Sequence, residues 1–138
     1  MKLLIASDIH GSAYWADRLM AAIGAERPDR VLLLGDLLYH GPRNDLPRDY
    51  APKRVIPLLN QLAQTGKLLA VRGNCDAEVD QMVLGFPCMA DSATLLDDGG
   101  RELFCTGTCL ARACTTAWTT SPPFLRVRRW CTVTRTSR

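Results

Sequence analysis

Met1-Lys2-Leu3-Leu4-Ile5-Ala6-Ser7-Asp8-Ile9-His10-Gly11 is the stretch on which the reading of this chain turns. Lys2–Ser7 is a short apolar run bounded by polar residues, the pattern of a buried strand. It ends in a carboxylate and an imidazole, Asp8 and His10, which in extended backbone project to the same side. So short a run, cut off by Asp8, is not expected to act as a signal peptide. The sequence also has no run of about 18 apolar residues of the kind a membrane span requires.

Working outward, the same pattern returns twice. Ser12 can cap a helix through Ala25, with Trp15, Leu19 and Ile23 on its apolar stripe. Arg30–Gly35 reads as a second buried strand and Lys67–Arg72 as a third. Between them Pro52–Gln64 has helical spacing at Val55, Leu58, Leu59 and Leu62, with Pro52 in its first turn. Asp76–Leu84 reads as a short helix, and Thr94–Leu96 with Glu102–Phe104 as a hairpin around Asp97-Asp98-Gly99-Gly100. Strands of near-continuous apolar residues alternating with helices predict an α/β fold with a parallel sheet covered on both faces.

Polar residues gather where these strands end. The first strand runs into Asp8 and His10, the second into Gly35-Asp36, the third into Arg72-Gly73-Asn74-Cys75-Asp76. Successive strand C-termini of a parallel sheet share one edge, where such folds build their sites. Asp8, His10, Asp36 and Asn74 should therefore meet. Two carboxylates, an imidazole and an amide oxygen suit Mn²⁺, Fe²⁺ or Zn²⁺ rather than a nucleophilic triad. Neither a serine nucleophile elbow nor a phosphate-cradling Gly-x-x-x-x-Gly-Lys loop occurs. Taken singly each piece is ordinary: Gly-Asp is a turn, Gly-Asn-x-Asp a turn or helix cap, and Cys75 can be an inert buried thiol. Three pieces in this order, each following a strand, point to a metal site.

That order resembles the calcineurin-like metallophosphoesterase superfamily, whose motifs are Asp-x-His, Gly-Asp and Gly-Asn. It is most similar to the small bacterial phosphodiesterases of the YfcE type, through Ala6–Ser12, Gly35–Asn44, Val71–Asp76 and Glu78–Met82. The resemblance covers residues 1 to about 104 and implies a two-sheet αββα sandwich. It implies a phosphodiesterase with two divalent ions, manganese first, with iron, zinc or nickel as alternatives. Asp36 would bridge both ions, Asp8 and His10 would complete one, and Asn74 would sit on the other. A hydroxide bridging the ions would attack phosphorus in line. Asp36, Asn74 and Cys75 fall in the catalytic centre, with Cys75 where many relatives carry a histidine that aids the leaving group. His40 and Arg43, on the loop after the second strand, can contact substrate phosphate or simply face solvent.

The remainder of that site is missing. The superfamily supplies three further histidines from two later motifs, whereas this chain has only His10 and His40. The composition also changes character near Phe104. Residues 1–104 hold all 14 acids and 11 of the 17 bases, a net −3, whereas 105–138 hold six Arg and no acid, a net +6. Four of the six cysteines and two of the three tryptophans fall in this second stretch, with no apolar period. The genetic code accounts for the change. Trp130–Arg138 can be encoded TGG TGT ACG GTC ACA CGC ACC TCC CGN, which two bases later reads Val-Tyr-Gly-His-Thr-His-Leu-Pro. Cys105–Arg112, as TGC ACG GGC ACC TGT TTG GCC CGN, reads His-Gly-His-Leu-Phe-Gly-Pro at the same offset. These are the two absent motifs, in order. The expectation is therefore a domain begun over 1–104, followed by an out-of-frame, non-native or disordered tail over 105–138.

Composition bounds the alternatives. With 138 residues, 47% hydrophobic and 22% charged, the chain suits one domain and is not of disordered type. Six cysteines without a leader read as thiols of a cytoplasmic protein. The expected partner is a small phosphodiester, with no membrane and no specific nucleic acid; a homo-oligomer is compatible with the sequence. A non-catalytic interaction module on the same fold, or an inactive frameshift product, is the competing reading. A nucleic-acid binder, motivated by Arg126-Val127-Arg128-Arg129-Trp130, rests only on a formal charge of +3.

Overall fold

The computed structural model describes residues 1–96, 99–100, 102–107 and 125–128. Strand β1 (Leu3–Ala6) leads into helix α1 (Ala13–Glu26), β2 (Arg30–Leu33), α2 (Pro52–Gln64), β3 (Leu68–Ala70) and α3 (Glu78–Val83). Strands β4 (Ser92–Leu96), β5 (Glu102–Thr106) and β6 (Leu125–Arg128) follow. The larger sheet runs β3-β2-β1-β6, and β4 and β5 form a two-stranded antiparallel sheet. Strands β1, β2 and β3 are parallel, as expected, with Leu4 beside Val31 and Leu32 beside Leu69. Strand β6 pairs antiparallel with β1. Of the stretch expected to be non-native, 105–107 complete and follow β5, and 125–128 form β6; the rest lies outside the described residues.

The two-residue period of the strands sorts their side chains onto two cores. Leu4, Ala6, Val31, Leu33 and Ala70 face the helices, packing with Ala13, Ala16 and Leu19 of α1 and Val55, Leu59 and Leu62 of α2. Leu3, Ile5, Leu32, Leu34 and Leu69 face the other way, onto Leu95 of β4 and Cys105 of β5. This explains why the strands read as unbroken apolar runs: both faces are covered. Leu4, Leu33 and Leu59 are wholly buried, so truncating any of them to Ala costs about 2–5 kcal/mol.

Local signals fix the helix ends. Ser12 caps α1 by accepting the Trp15 N–H, and the helix closes on Arg27 in the left-handed region. Pro52 opens α2 where a missing N–H costs nothing. Helix α3 starts two residues later than the pattern predicts, because Asp76 is engaged elsewhere. Among the described residues no helix is long and apolar enough to cross a membrane.

Candidate metal centre

Beyond the last strand pairs the chain does not splay. The N–H groups of Asp8, His10 and Gly11 donate to the carbonyls of Gly35, Asp36 and Leu37, at 3.2, 2.9 and 2.8 Å. The loops after β1 and β2 are thus zipped backbone to backbone. The loop after β3 is pressed onto the second of them at glycine. A Cβ on Gly35, whose φ is +92°, would lie 2.0 Å from the Gly73 nitrogen, and one on Gly73 would lie 2.2 Å from Asp36 Oδ1. No other residue permits that approach.

These contacts bring together Asp8, His10 and Asp36, each offering one ligand atom, all within 4.8 Å of one another. All three adopt positive φ, +58°, +48° and +56°, which non-glycine residues avoid. Asp and His enter this region more readily than most side chains, but three in one cluster are unusual. Among the described residues only two other non-glycine positions do so, Arg27 and Asp49. Strain concentrated on three clustered donors is held by the surrounding structure and marks a functional centre.

The donor chemistry fits a divalent cation. Tyr39 O lies 2.7 Å from His10 Nδ1 and can only accept, so Nδ1 carries a proton. Nε2 is then left facing Asp8 Oδ1 at 3.6 Å. An imidazole whose far nitrogen is tied to a backbone carbonyl is the usual arrangement of a metal-binding histidine. Asp36, 2% exposed, accepts the Cys75 N–H at 2.7 Å through Oδ1. The cluster sets the Asp8 and Asp36 carboxylates side by side, where a divalent cation would offset their mutual repulsion.

The other predicted residues border this cluster. Asn74 is exposed, and its amide donates to Cys75 Sγ at 3.2 Å. A cavity of about 380 Å³ opens beside it, lined by Tyr39, Pro42, Arg43, Asn44, Asn74 and Cys75. Arg43 thus faces the cavity, while the His40 ring packs edge to face against Tyr39 and Tyr50 with its Nδ1 buried and unpartnered. Burial pushes the Cys75 thiol up, as do the carboxylates of Asp36, Asp76 and Asp8, with Arg43 opposing them.

Sequence reading passed over two contributors. Asp76, taken as part of a turn or cap, is 3% exposed and reaches across to the loop after β2. The Tyr39 carbonyl has no side-chain signature and could not have been found.

Comparison with known proteins agrees with this geometry. The chain is 51% identical over 90 residues to "Phosphodiesterase YfcE" of Escherichia coli K12, and equally to that of Escherichia coli O157:H7. The match takes in 65% of this chain and 48% of each relative, so the chain spans about half the length of the curated relatives it matches. The solved structure of Yfce, a phosphoesterase from E. coli, superposes with a TM-score of 0.72 at 47% identity, over 77% of this chain and 57% of that one. Residues 1–109 match the family model for the calcineurin-like phosphoesterases, and with its zipped loops and strained donor cluster the chain belongs to that family.

Proposed function

We propose that residues 1–104 are the beginning of a metal-dependent phosphodiesterase domain. The observation that carries this is the Asp8–His10–Asp36 cluster, with ligand atoms within 4.8 Å and His10 fixed through Nδ1. Asp8, His10 and Asp36 would hold one divalent ion, with Asp36 and Asn74 the residues here toward a second. A mixed oxygen and imidazole set suits manganese, with iron, zinc and nickel as competitors. When bound, such ions neutralise charge on a phosphoryl oxygen and lower the pKa of water.

The chain's own side chains supply the rest. Arg43 offers a fixed positive charge to a phosphodiester entering the cavity, and the Asn74 amide can accept or donate beside it. A small phosphodiester matches a cavity of about 380 Å³. Cys75 borders the cavity, where a thiol is a poorer proton donor than an imidazole. Free thiols at Cys75 and Cys88 support a reducing, cytoplasmic setting.

The same reading holds that the frame is lost near Phe104–Cys105. It is supported by the change in composition there, by two recoverable histidine motifs at one offset, and by a family match that stops at residue 109. The 138-residue chain should then bind one ion well and turn over slowly. Mn²⁺ titration of the full chain, followed by the EPR signal of free ion, should show one bound ion per chain, with weak hydrolysis of bis(4-nitrophenyl) phosphate. Absence of any saturable Mn²⁺ site would overturn the reading.

A further inference from the structure

Asp76 is a buried carboxylate outside the Asp8–His10–Asp36 cluster, yet its hydrogen bonds are concentrated on the loops that carry the cluster. Its Oδ2 accepts the backbone N–H groups of Asp36, at 2.8 Å, and of Gly73, at 2.7 Å. Its Oδ1 accepts the N–H of Leu37 at 2.9 Å. Among the described residues no cationic side chain pairs with it. Three charge-assisted bonds to backbone are each roughly twice as strong as neutral ones.

Asp76 stands two residues before α3 without capping it. Its bonds instead tie the loop after β2 to the loop after β3, across the contact where Gly35 and Gly73 abut. Asp36 returns the arrangement, since its Oδ1 accepts the N–H of Cys75, next to Asp76. Asp36 is therefore gripped at both ends. Its N–H is fixed by Asp76 and its side chain by Cys75, while its backbone sits at φ +56°.

We propose that Asp76 is the positioning residue of this centre, holding Asp36 in its strained backbone and setting the distance between the Asp36 and Asn74 loops. The proposal rests on the metal reading above for its consequence, though not for its geometry. It predicts that removing one Asp76 charge disturbs the site more than removing a buried charge nearby. Asp80 is the comparison: 4% exposed, its side chain accepts the Ala77 N–H, at 2.8 Å, where the loop after β3 enters α3, and makes no bond to the loop after β2.

The test compares the full chain with Asp76→Asn and Asp80→Asn, using Mn²⁺ alone as the probe and amide hydrogen exchange as a second readout. Asp76→Asn should weaken Mn²⁺ binding at least tenfold and speed exchange at Asp36, Leu37 and Cys75. Asp80→Asn should leave both within twofold of the parent. Equal Mn²⁺ affinity and unchanged exchange in Asp76→Asn would overturn the proposal, as would equal losses in both variants. If the parent itself binds no Mn²⁺, the metal reading fails while the exchange comparison still decides the role of Asp76. If Asp76→Asn does not fold, Asp76→Glu, which keeps the charge on a longer arm, replaces it with the same expectations. Failure of both to fold would make the residue merely structural and overturn the proposal.

Discussion

His10 donates its Nδ1 proton to the carbonyl oxygen of Tyr39 at 2.7 Å, and this bond aims Nε2 at Asp8. A residue from the loop after β1 is thus oriented by a backbone group of the loop after β2. The cluster is consequently a property of the sheet edge, not of either loop alone.

Replacing His10 isolates that geometry. Asn is the informative substitute because it tolerates positive φ and so keeps the backbone at +48°, but it cannot reach as far as Nε2. His10→Asn should lower Mn²⁺ affinity by at least about 10- to 100-fold, the range seen when only an outer partner of a metal ligand is lost. The far-ultraviolet circular dichroism should not change. Isothermal titration of parent and variant measures the difference, and equal affinity would remove His10 from the site.

Asp80 supplies a pH dependence. Its carboxyl lies above the ordinary Asp range, chiefly through burial and with a contribution from Asp76, while the Ala77 N–H pulls it down. The folded chain then keeps a proton that the unfolded chain has released. Stability consequently falls as pH rises through the ordinary Asp value toward the raised one, and the loss is complete above it. Asp80→Asn keeps an oxygen for Ala77 but carries no charge. Its urea midpoint should exceed the parent's at pH 7 and match it near pH 3; the opposite order at pH 7 would count against the raised value.

How much of this was legible depended on where information resides. The strands of residues 3–6, 30–33 and 68–70 could be read because two-sided burial leaves an apolar run, and α2 because its buried residues keep helical spacing. Asp8, His10 and Asp36 could be brought together because strand ends in a parallel sheet share an edge. What could not be read was backbone-borne: the Tyr39 carbonyl, the positive φ values, and the three N–H groups that occupy Asp76. His40 shows the limit on side chains, since its place between Tyr39 and Tyr50 depends on how the loop folds back.

Arg27 offers a stability test remote from the site. It ends α1 at φ +45°, with its N–H on the Ile23 carbonyl, in the position where helices favour glycine. Relief of the left-handed strain should make Arg27→Gly more stable by about 1 kcal/mol. In a domain of this size that is a rise in Tm of a few degrees, roughly 3–6 °C. Mn²⁺ affinity should not move, because the residue lies at the opposite end of α1 from His10.

Restoring the frame after Phe104 gives the most direct check on the divided character of this chain. A version in which the codons of the tail are read at the shifted offset regains His-Gly-His and Gly-His-Thr-His. Those histidines would add imidazole donors to the proposed second position, for which Asp36 and Asn74 are the donors among the described residues. The restored chain should bind two Mn²⁺ where the 138-residue chain binds one, and hydrolyse bis(4-nitrophenyl) phosphate at least about 100-fold faster. If Asp36 serves both ions, as proposed, Asp36→Asn in the restored chain should abolish both gains together. Recovery of the second ion without recovery of rate would shift attention to Cys75, which borders the same cavity as Asn74 and Arg43. No gain in either would mean that the histidine motifs are coincidental and that residues 105–138 are the chain's own.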